Sequence, residues 1–321
     1  MEPHAESAPK KTGTPAPEQP PFWHYDQYPL PTRPGHRYPR GRFQALREDL
    51  LASGTLAPGQ LHPAQPAPWE LLALAHEPAY LSAVREGTLS RAAIREIGLP
   101  WSEDLVLRAR ACVQATREAA WAALHPQGGG VAGVLGGGTH HAFPGRGAGY
   151  CLFSDIAVAI RELRQRGVGG AFMIVDLDVH QGNGNAEIFA NDPTVFTFSA
   201  HGAKNWPYRK STSDLDLELP DGMEDDAYLA AVEPALVGAL ERERPTLVFY
   251  QAGADPLHSD RLGRLALTEQ GLHARDRMVL RHLRAHGAAV VVTLGGGYGR
   301  DPADTIAVHR NTIRACLEVA P

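Results

Sequence analysis

Ile174-Val175-Asp176-Leu177-Asp178-Val179-His180, followed by Gln181-Gly182-Asn183-Gly184, alternates apolar and polar side chains with a spacing of two. In extended backbone that period puts Asp176, Asp178 and His180 on one face and Val175, Leu177 and Val179 on the other. The stretch therefore reads as a strand from 174 to 180 with one face in the core. A lone carboxylate taken out of water costs several kcal/mol, so the polar face calls for a cation, a histidine partner, or both. Gly182 and Gly184 allow a tight turn after His180, which is how a strand delivers its last side chains into a pocket. The competing explanation, a polar face turned to solvent, loses ground against the rest of the chain.

The 321 residues are 43% hydrophobic and 21% charged, enough to bury a large core. A net charge of -5 gives no global pull toward nucleic acid or an anionic membrane. No apolar run is long enough to span a bilayer, and the N-terminus lacks a charged-then-apolar signal pattern, so a cytoplasmic chain is expected. Cys112, Cys151 and Cys316 are widely spaced and form no C-x-x-C, which points to buried structural thiols and not to a disulfide framework or thiolate zinc site.

Residues 1 to 21 hold six prolines among Ala, Glu, Lys and Thr and read as a disordered tail. The folded domain is expected from Phe22-Trp23-His24-Tyr25 to residue 321. Downstream, helical spacing predicts helices over about 43–53, 78–86, 103–124, 156–166, 185–190, 224–243, 268–286 and 302–319. Pro63 to Pro68 is too rich in proline for a helix interior. Strands are expected at 131–135, 174–180, 194–199, 214–219, 246–251 and 289–294. This alternation predicts an α/β domain with a mostly parallel sheet covered by helices on both faces.

Four polar clusters each follow an apolar strand directly: His140-His141, Asp178 with His180, Asp255, and Tyr298. Loops past the carboxyl ends of parallel strands converge on one pocket, whatever their separation along the chain. Two carboxylates and one imidazole sum to neutrality with a divalent cation and leave coordination positions open, the donor set of a catalytic metal. Asp178, His180 and Asp255 are the expected ligands. They suit Zn²⁺ but also Fe²⁺, Co²⁺ or Mn²⁺. Asp176, roughly 13 Å from His180 at about 3.3 Å per strand residue, is expected instead to accept a hydrogen bond from His140. A hydrolase needs groups to take and give protons, and the tandem histidines offer two, with Asn183 as the natural partner of His141. Tyr298, on a glycine-rich loop, is placed to donate its hydroxyl to a developing oxyanion.

Gly136-Gly137-Gly138-Thr139-His140-His141-Ala142, Gly149-Tyr150-Cys151, the run from Val175 to Gly184, Gly253-Ala254-Asp255 and Gly295-Gly296-Gly297-Tyr298 together resemble the motif set of the metal-dependent histone deacetylases, within the arginase/deacetylase superfamily. The resemblance spans about residues 22 to 318 in the expected order. His180-Gln181-Gly182-Asn183-Gly184, Asp260-Arg261-Leu262-Gly263 and His36-Arg37-Tyr38-Pro39 make it most similar to class IV enzymes and their bacterial relatives. It implies a single domain around an eight-stranded parallel sheet and zinc-dependent hydrolysis of N-acyl-lysine. It also implies that Asp178, His180 and Asp255 bind the metal, that His140 and His141 form the histidine pair, and that Tyr298 is the oxyanion donor. Gly149, Tyr150 and Leu262 would line the substrate tunnel with an aromatic from Trp206-Pro207-Tyr208. A structural potassium ion would be held by Asp176, the carbonyls of Asp178 and His180, and Ser199 with the Ala200 and His201 region.

Two departures stand out. Asn183 occupies a position where many relatives carry aspartate, so the imidazolium of His141 is less stabilised, favouring giving a proton over taking one. The aspartate that grips the substrate backbone in some relatives has no clear match, Glu103 being the nearest acid. The expected activity is a lysine deacetylase or deacylase acting on linear amides, with an acyl-lysine peptide, protein or small acylated amine as partner. Class IV similarity hints at longer acyl chains. The alternatives are an acetylpolyamine deacetylase, for which an acidic gate is expected, and a weakly catalytic acyl-lysine binder, against which Tyr298 argues.

Overall fold

Short runs rich in Val, Ile and Phe, buried on both sides, form the inner strands of one sheet of eight. The eight are β1 (Phe22–His24), β2 (Leu61–Pro63), β3 (Val131–Val134), β4 (Phe172–Asp176), β5 (Val195–Gly202), β6 (Leu215–Leu219), β7 (Leu247–Gln251) and β8 (Ala289–Thr293). The order across the sheet is β2-β1-β3-β8-β7-β4-β5-β6, and every neighbouring pair is parallel. The computed structural model describes residues 19–30, 32, 36–125 and 129–320. Most of the tail expected over 1–21 lies outside the described residues, but the carbonyls of Pro20 and Pro21 already accept hydrogen bonds from Gln60 and Gly133.

Ten helices complete the described chain: α1 (Arg42–Ala52), α2 (Trp69–Leu72), α3 (Pro78–Glu86), α4 (Arg91–Ile97), α5 (Glu103–Leu124), α6 (Asp155–Gln165), α7 (Asn183–Phe189), α8 (Asp225–Glu243), α9 (Glu269–Ala285) and α10 (Pro302–Val319). Their ends follow local chemistry. The hydroxyls of Ser102, Ser154 and Thr268 accept the N–H groups of Leu105, Ala157 and Gly271, and Gly87 closes α3 in the left-handed conformation. None of these helices is long and apolar enough to cross a membrane.

Alternation along the strands sends residues to two cores. Phe172 and Ile174 pack with α5 and α6 on one face; Met173 and Val175 pack with α1, α8, α9 and α10 on the other. Each fully buried aliphatic contributes about 1.5–3 kcal/mol, and most positions of the central strands β3, β8, β7 and β4 are of this kind. The edge strand expected near 214–219 is β6. The three-residue strands β1 and β2, too short to show a period, and the helix α4 were not expected.

The strand expected from 174 to 180 ends at Asp176. Beyond it the acidic side chains replace the ladder: the Asp178 N–H donates to Asp176 Oδ1 (3.2 Å) and the His180 N–H to Asp178 Oδ1 (2.9 Å). Carboxylates that capture the backbone two residues on make turns, so the segment curls where an extended strand would have separated these groups. Val175, Leu177 and Val179 remain in the apolar core.

A buried cation stiffens this curl from below. Arg275, without solvent exposure on α9, donates to the carbonyls of Leu177 (3.3 Å) and Gly253 (2.8 Å) and pairs with Asp276 (2.8 Å). Asp276 also accepts the hydroxyls of Tyr250 and Thr312, both at 2.5 Å. Removing one partner of a buried pair strands the other charge. Arg275→Leu is therefore expected to lower the unfolding free energy by about 3–5 kcal/mol, measured by urea denaturation; a loss below about 1 kcal/mol would show that the pair contributes little.

Candidate active site

Four adjacent strands at the centre of the sheet, β3, β8, β7 and β4, end at the four clusters singled out by sequence. Their loops carry His140-His141, Tyr298, Asp255, and Asp178 with His180, so residues more than a hundred positions apart meet at one edge. One ligand atom from each of Asp178, His180 and Asp255 lies within 4.8 Å of the other two, and all three side chains are buried. His180 Nδ1 stands 3.0 Å from Asp178 Oδ1 and 3.1 Å from Asp255 Oδ2. One N–H cannot neutralise two carboxylates, and with the imidazole neutral, as a ligand must be, the two buried negative charges equal what a divalent cation would cancel. The donor set therefore fits such a cation.

Backbone N–H groups hold the acids in place. Asp178 Oδ2 accepts from Gly296 (2.7 Å) and Asp255 Oδ1 from Val179 (2.9 Å). The close approach requires glycine: a Cβ on Gly296 would sit 1.8 Å from Asp255 Oδ2. Electrostatics follow from this crowding. Burial opposes charge on His180, but its hydrogen bonds to Asp178 and Asp255 outweigh it and lift the pKa to about 10. Burial and the charge of Asp178 push Asp255 up to about 7.

The two histidines differ. His140 Nδ1 lies 2.6 Å from Asp176 Oδ2, and although burial opposes its charge, Asp176 and Asp178 raise the pKa to about 9. His141 Nδ1 lies 2.8 Å from Asn183 Oδ1; burial, then the charges of His140 and His180, hold its pKa well below the usual value. The two rings lie against each other, tilted by 39°, with centroids 3.9 Å apart. Asp176 thus sits beside His140 as expected, though by way of the turn.

Tyr298 is buried, and burial raises its pKa well above the usual value, so its hydroxyl keeps its proton. Its ring centroid is 6.4 Å from that of His180. Asp260 accepts its N–H, and Arg261 Nε donates to its carbonyl at 2.7 Å.

A cleft of about 580 Å³ leads from the surface to His141, His180 and Tyr298. Gly149, Tyr150, Trp206 and Leu262 line it, and Tyr208, 86% exposed, stands at its outer lip. A Cβ on Gly149 would meet His141 at 2.6 Å and the Trp206 ring at 2.7 Å, so glycine keeps the inner wall open. Pro207 departs from expectation. It is buried and does not line the cleft; its carbonyl accepts from Lys210 Nζ at 2.7 Å. Glu103 lies exposed in the first turn of α5, away from the cleft, and the carboxylate found there is Glu96. Parallel pairing puts Ser199 opposite Asp176, while Ser199 Oγ is 3.0 Å from His201 Nδ1 and Ala200 is buried in the core.

Several positioning groups escaped the sequence reading. The Asp155 carboxylate accepts the N–H groups of Gly138 and Thr139, both at 2.8 Å, and so sets the loop before the histidines. Gln251 bridges Gly138 and Thr293. Arg42, buried on α1, donates to the carbonyls of Gly295 and Gly297. By position Asp155 is an ordinary first-turn acid of α6; its burial marks the second task.

The family described as histone deacetylase domain matches residues 36–312. An uncharacterized protein of Picosynechococcus sp. is 44% identical over 299 residues, covering 93% of this chain and 99% of that one. Histone deacetylase 2 of Arabidopsis thaliana is 35% identical over 176 residues, which are 54% of this chain and 46% of the plant protein, so the match spans about half of that relative. The crystal structure of an HDAC homolog from Aquifex aeolicus shares the fold, with a TM-score of 0.78 at 24% identity over 94% of this chain and 84% of that one.

Protons and a cation compete for the same buried ligands. The metal-free chain is expected to take up one divalent cation, more weakly at about pH 6 than at about pH 8 because His180 must lose its proton, and Asp255→Asn should weaken uptake by on the order of tenfold or more. Isothermal titration with Zn²⁺ measures both; a variant that binds as tightly as the parent would remove Asp255 from the ligand set.

Proposed function

Because this chain belongs to the histone deacetylase domain family, we propose that it is a zinc-dependent hydrolase that removes acyl groups from N-acyl-lysine side chains. The observation that carries the reading is that one cleft reaches His141, His180 and Tyr298, with the Asp178-His180-Asp255 cluster and His140 packed against them. Asp178, His180 and Asp255 would hold the zinc ion. When bound there, it supplies Lewis acidity, polarising the amide carbonyl and making water more acidic.

The remaining chemistry falls to the chain's own groups. Asn183 Oδ1 only accepts, so the His141 proton sits on Nδ1 and Nε2 is free to take a proton from the attacking water. The resulting imidazolium has no carboxylate beside it and passes the proton readily to the leaving amine. This accommodates the tendency expected from Asn183, a weak hold on the proton, while letting His141 serve in both directions. His140, kept cationic by Asp176, lends fixed positive charge. Tyr298 donates its hydroxyl to the oxygen on which charge develops. Tyr150 and Trp206 form the walls that would flank the apolar lysine stem. Asp176 and Ser199, with the carbonyls of Asp178, His180 and Ala200, make up the proposed potassium site.

An acylated polyamine would require carboxylates at the mouth. The carboxylate there, Glu96, is paired with Arg146 at 3.2 Å, so lysine is the better supported amine. Tyr298→Phe is expected to lower kcat on an acetyl-lysine peptide by about 10²-fold or more with zinc content unchanged; an unaltered rate would remove Tyr298 from the chemistry. Asn183→Asp places a carboxylate on His141 and raises its pKa. Since the neutral imidazole is the base, the acidic limb of the kcat/KM profile should move to higher pH, and a stationary limb would count against His141 as that base.

A further inference from the structure

The chain carries a net charge of -5, yet the mouth of the cleft is cationic. Arg37, Arg95, Lys204, Arg261 and Arg264 line it, and Arg300 joins Arg37 and Arg261 around an adjoining recess. All six are exposed. The acids at this rim are spent locally. Glu96 pairs with Arg146 (3.2 Å), and Asp221 serves Arg264 (2.9 Å) and Lys204 (4.0 Å). Asp260 faces inward, accepting the N–H groups of Leu262 (2.7 Å), Gly263 (2.9 Å) and Tyr298. Among the described residues, Arg37, Arg95, Arg261 and Arg300 have no carboxylate within 4 Å. Arg261 instead spends two donors on carbonyls, those of Tyr298 (2.7 Å) and Arg37 (3.3 Å), which fixes it at the lip.

An acyl-lysine whose side chain enters between Tyr150 and Trp206 to reach His141 leaves its neighbouring residues at this lip. A rim with four unneutralised guanidinium groups attracts carboxylates and repels lysines and arginines. We infer that this rim is a specificity subsite and that the preferred substrates are peptides or proteins whose acyl-lysine is flanked by aspartate or glutamate. The inference rests on the N-acyl-lysine reading above and adds the sequence context of the lysine. A lysine within a basic tail, and a polycationic amine, are both disfavoured by the same charge.

Three acetyl-lysine peptides that differ only in having two aspartates, two serines or two arginines on each side test this with the zinc-loaded full chain. Both kcat/KM and binding, the latter by fluorescence anisotropy of labelled peptides, are read at low and high salt. The aspartate peptide is expected to exceed the arginine peptide by about tenfold or more in both readouts at low ionic strength, with the gap narrowing as salt screens the rim. In Arg37→Glu/Arg95→Glu the order should narrow or reverse, with unfolding midpoint and zinc content as controls for folding. Equal binding of the aspartate and arginine peptides, or a preference unmoved by salt, would overturn the subsite. Selective binding of the aspartate peptide without turnover of any of the three would uphold the rim and overturn the hydrolase reading, so the two fail separately.

Discussion

Two carboxylates buried within hydrogen-bond reach of one imidazole are the constraint on which this molecule turns. Asp178 and Asp255 have almost no contact with solvent, and burial alone would force them to neutralise. Around them the chain assembles what is needed to keep charge there: N–H groups from Val179, His180 and Gly296, the imidazole of His180, and space for a cation. The glycines that follow β8 belong to the same solution, since any side chain on Gly296 would occupy the volume of an Asp255 oxygen.

The sheet order explains how so few residues suffice. From β3 the chain crosses to β4 on the far side of the centre, builds outward through β5 and β6, and returns to fill the gap with β7 and β8. The loops with polar groups therefore come from four neighbouring strands and need no long excursions. Each is then pinned from outside the reacting set: the histidine loop by Asp155 and Gln251, the loop of Tyr298 by Asp260 and Arg42, and the turn of Asp178 by Arg275. Such supports orient groups that would otherwise need to be ordered by substrate.

Much of this was legible in the sequence. The α/β class, most helix ends and the convergence of His140, His141, Asp178, His180, Asp255 and Tyr298 followed from period, caps and the placing of polar clusters after apolar runs. Alternation misled at one point: it carried β4 through to His180, because a period of two is the same whether the backbone stays extended or is curled by Asx turns. The turn depends on carboxylates capturing N–H groups, which spacing does not reveal. The short strands β1 and β2 lacked the length to show a pattern. Asp155, Gln251, Arg42 and Arg275 were missed because each sits in an ordinary local context, a helix start, a strand end or a helix face, and its partner lies far along the chain.

Arg42 reaches across 253 and 255 positions to the carbonyls of Gly295 and Gly297. The ribosome therefore releases the first clamp of the Tyr298 loop long before the loop itself, and Tyr298 arrives only after all eight strands have been made. A nascent chain can bury much of its apolar core before the polar cluster is complete. That cluster closes only after the last strand, so a truncated product of translation would lack its final member as well as its final helix.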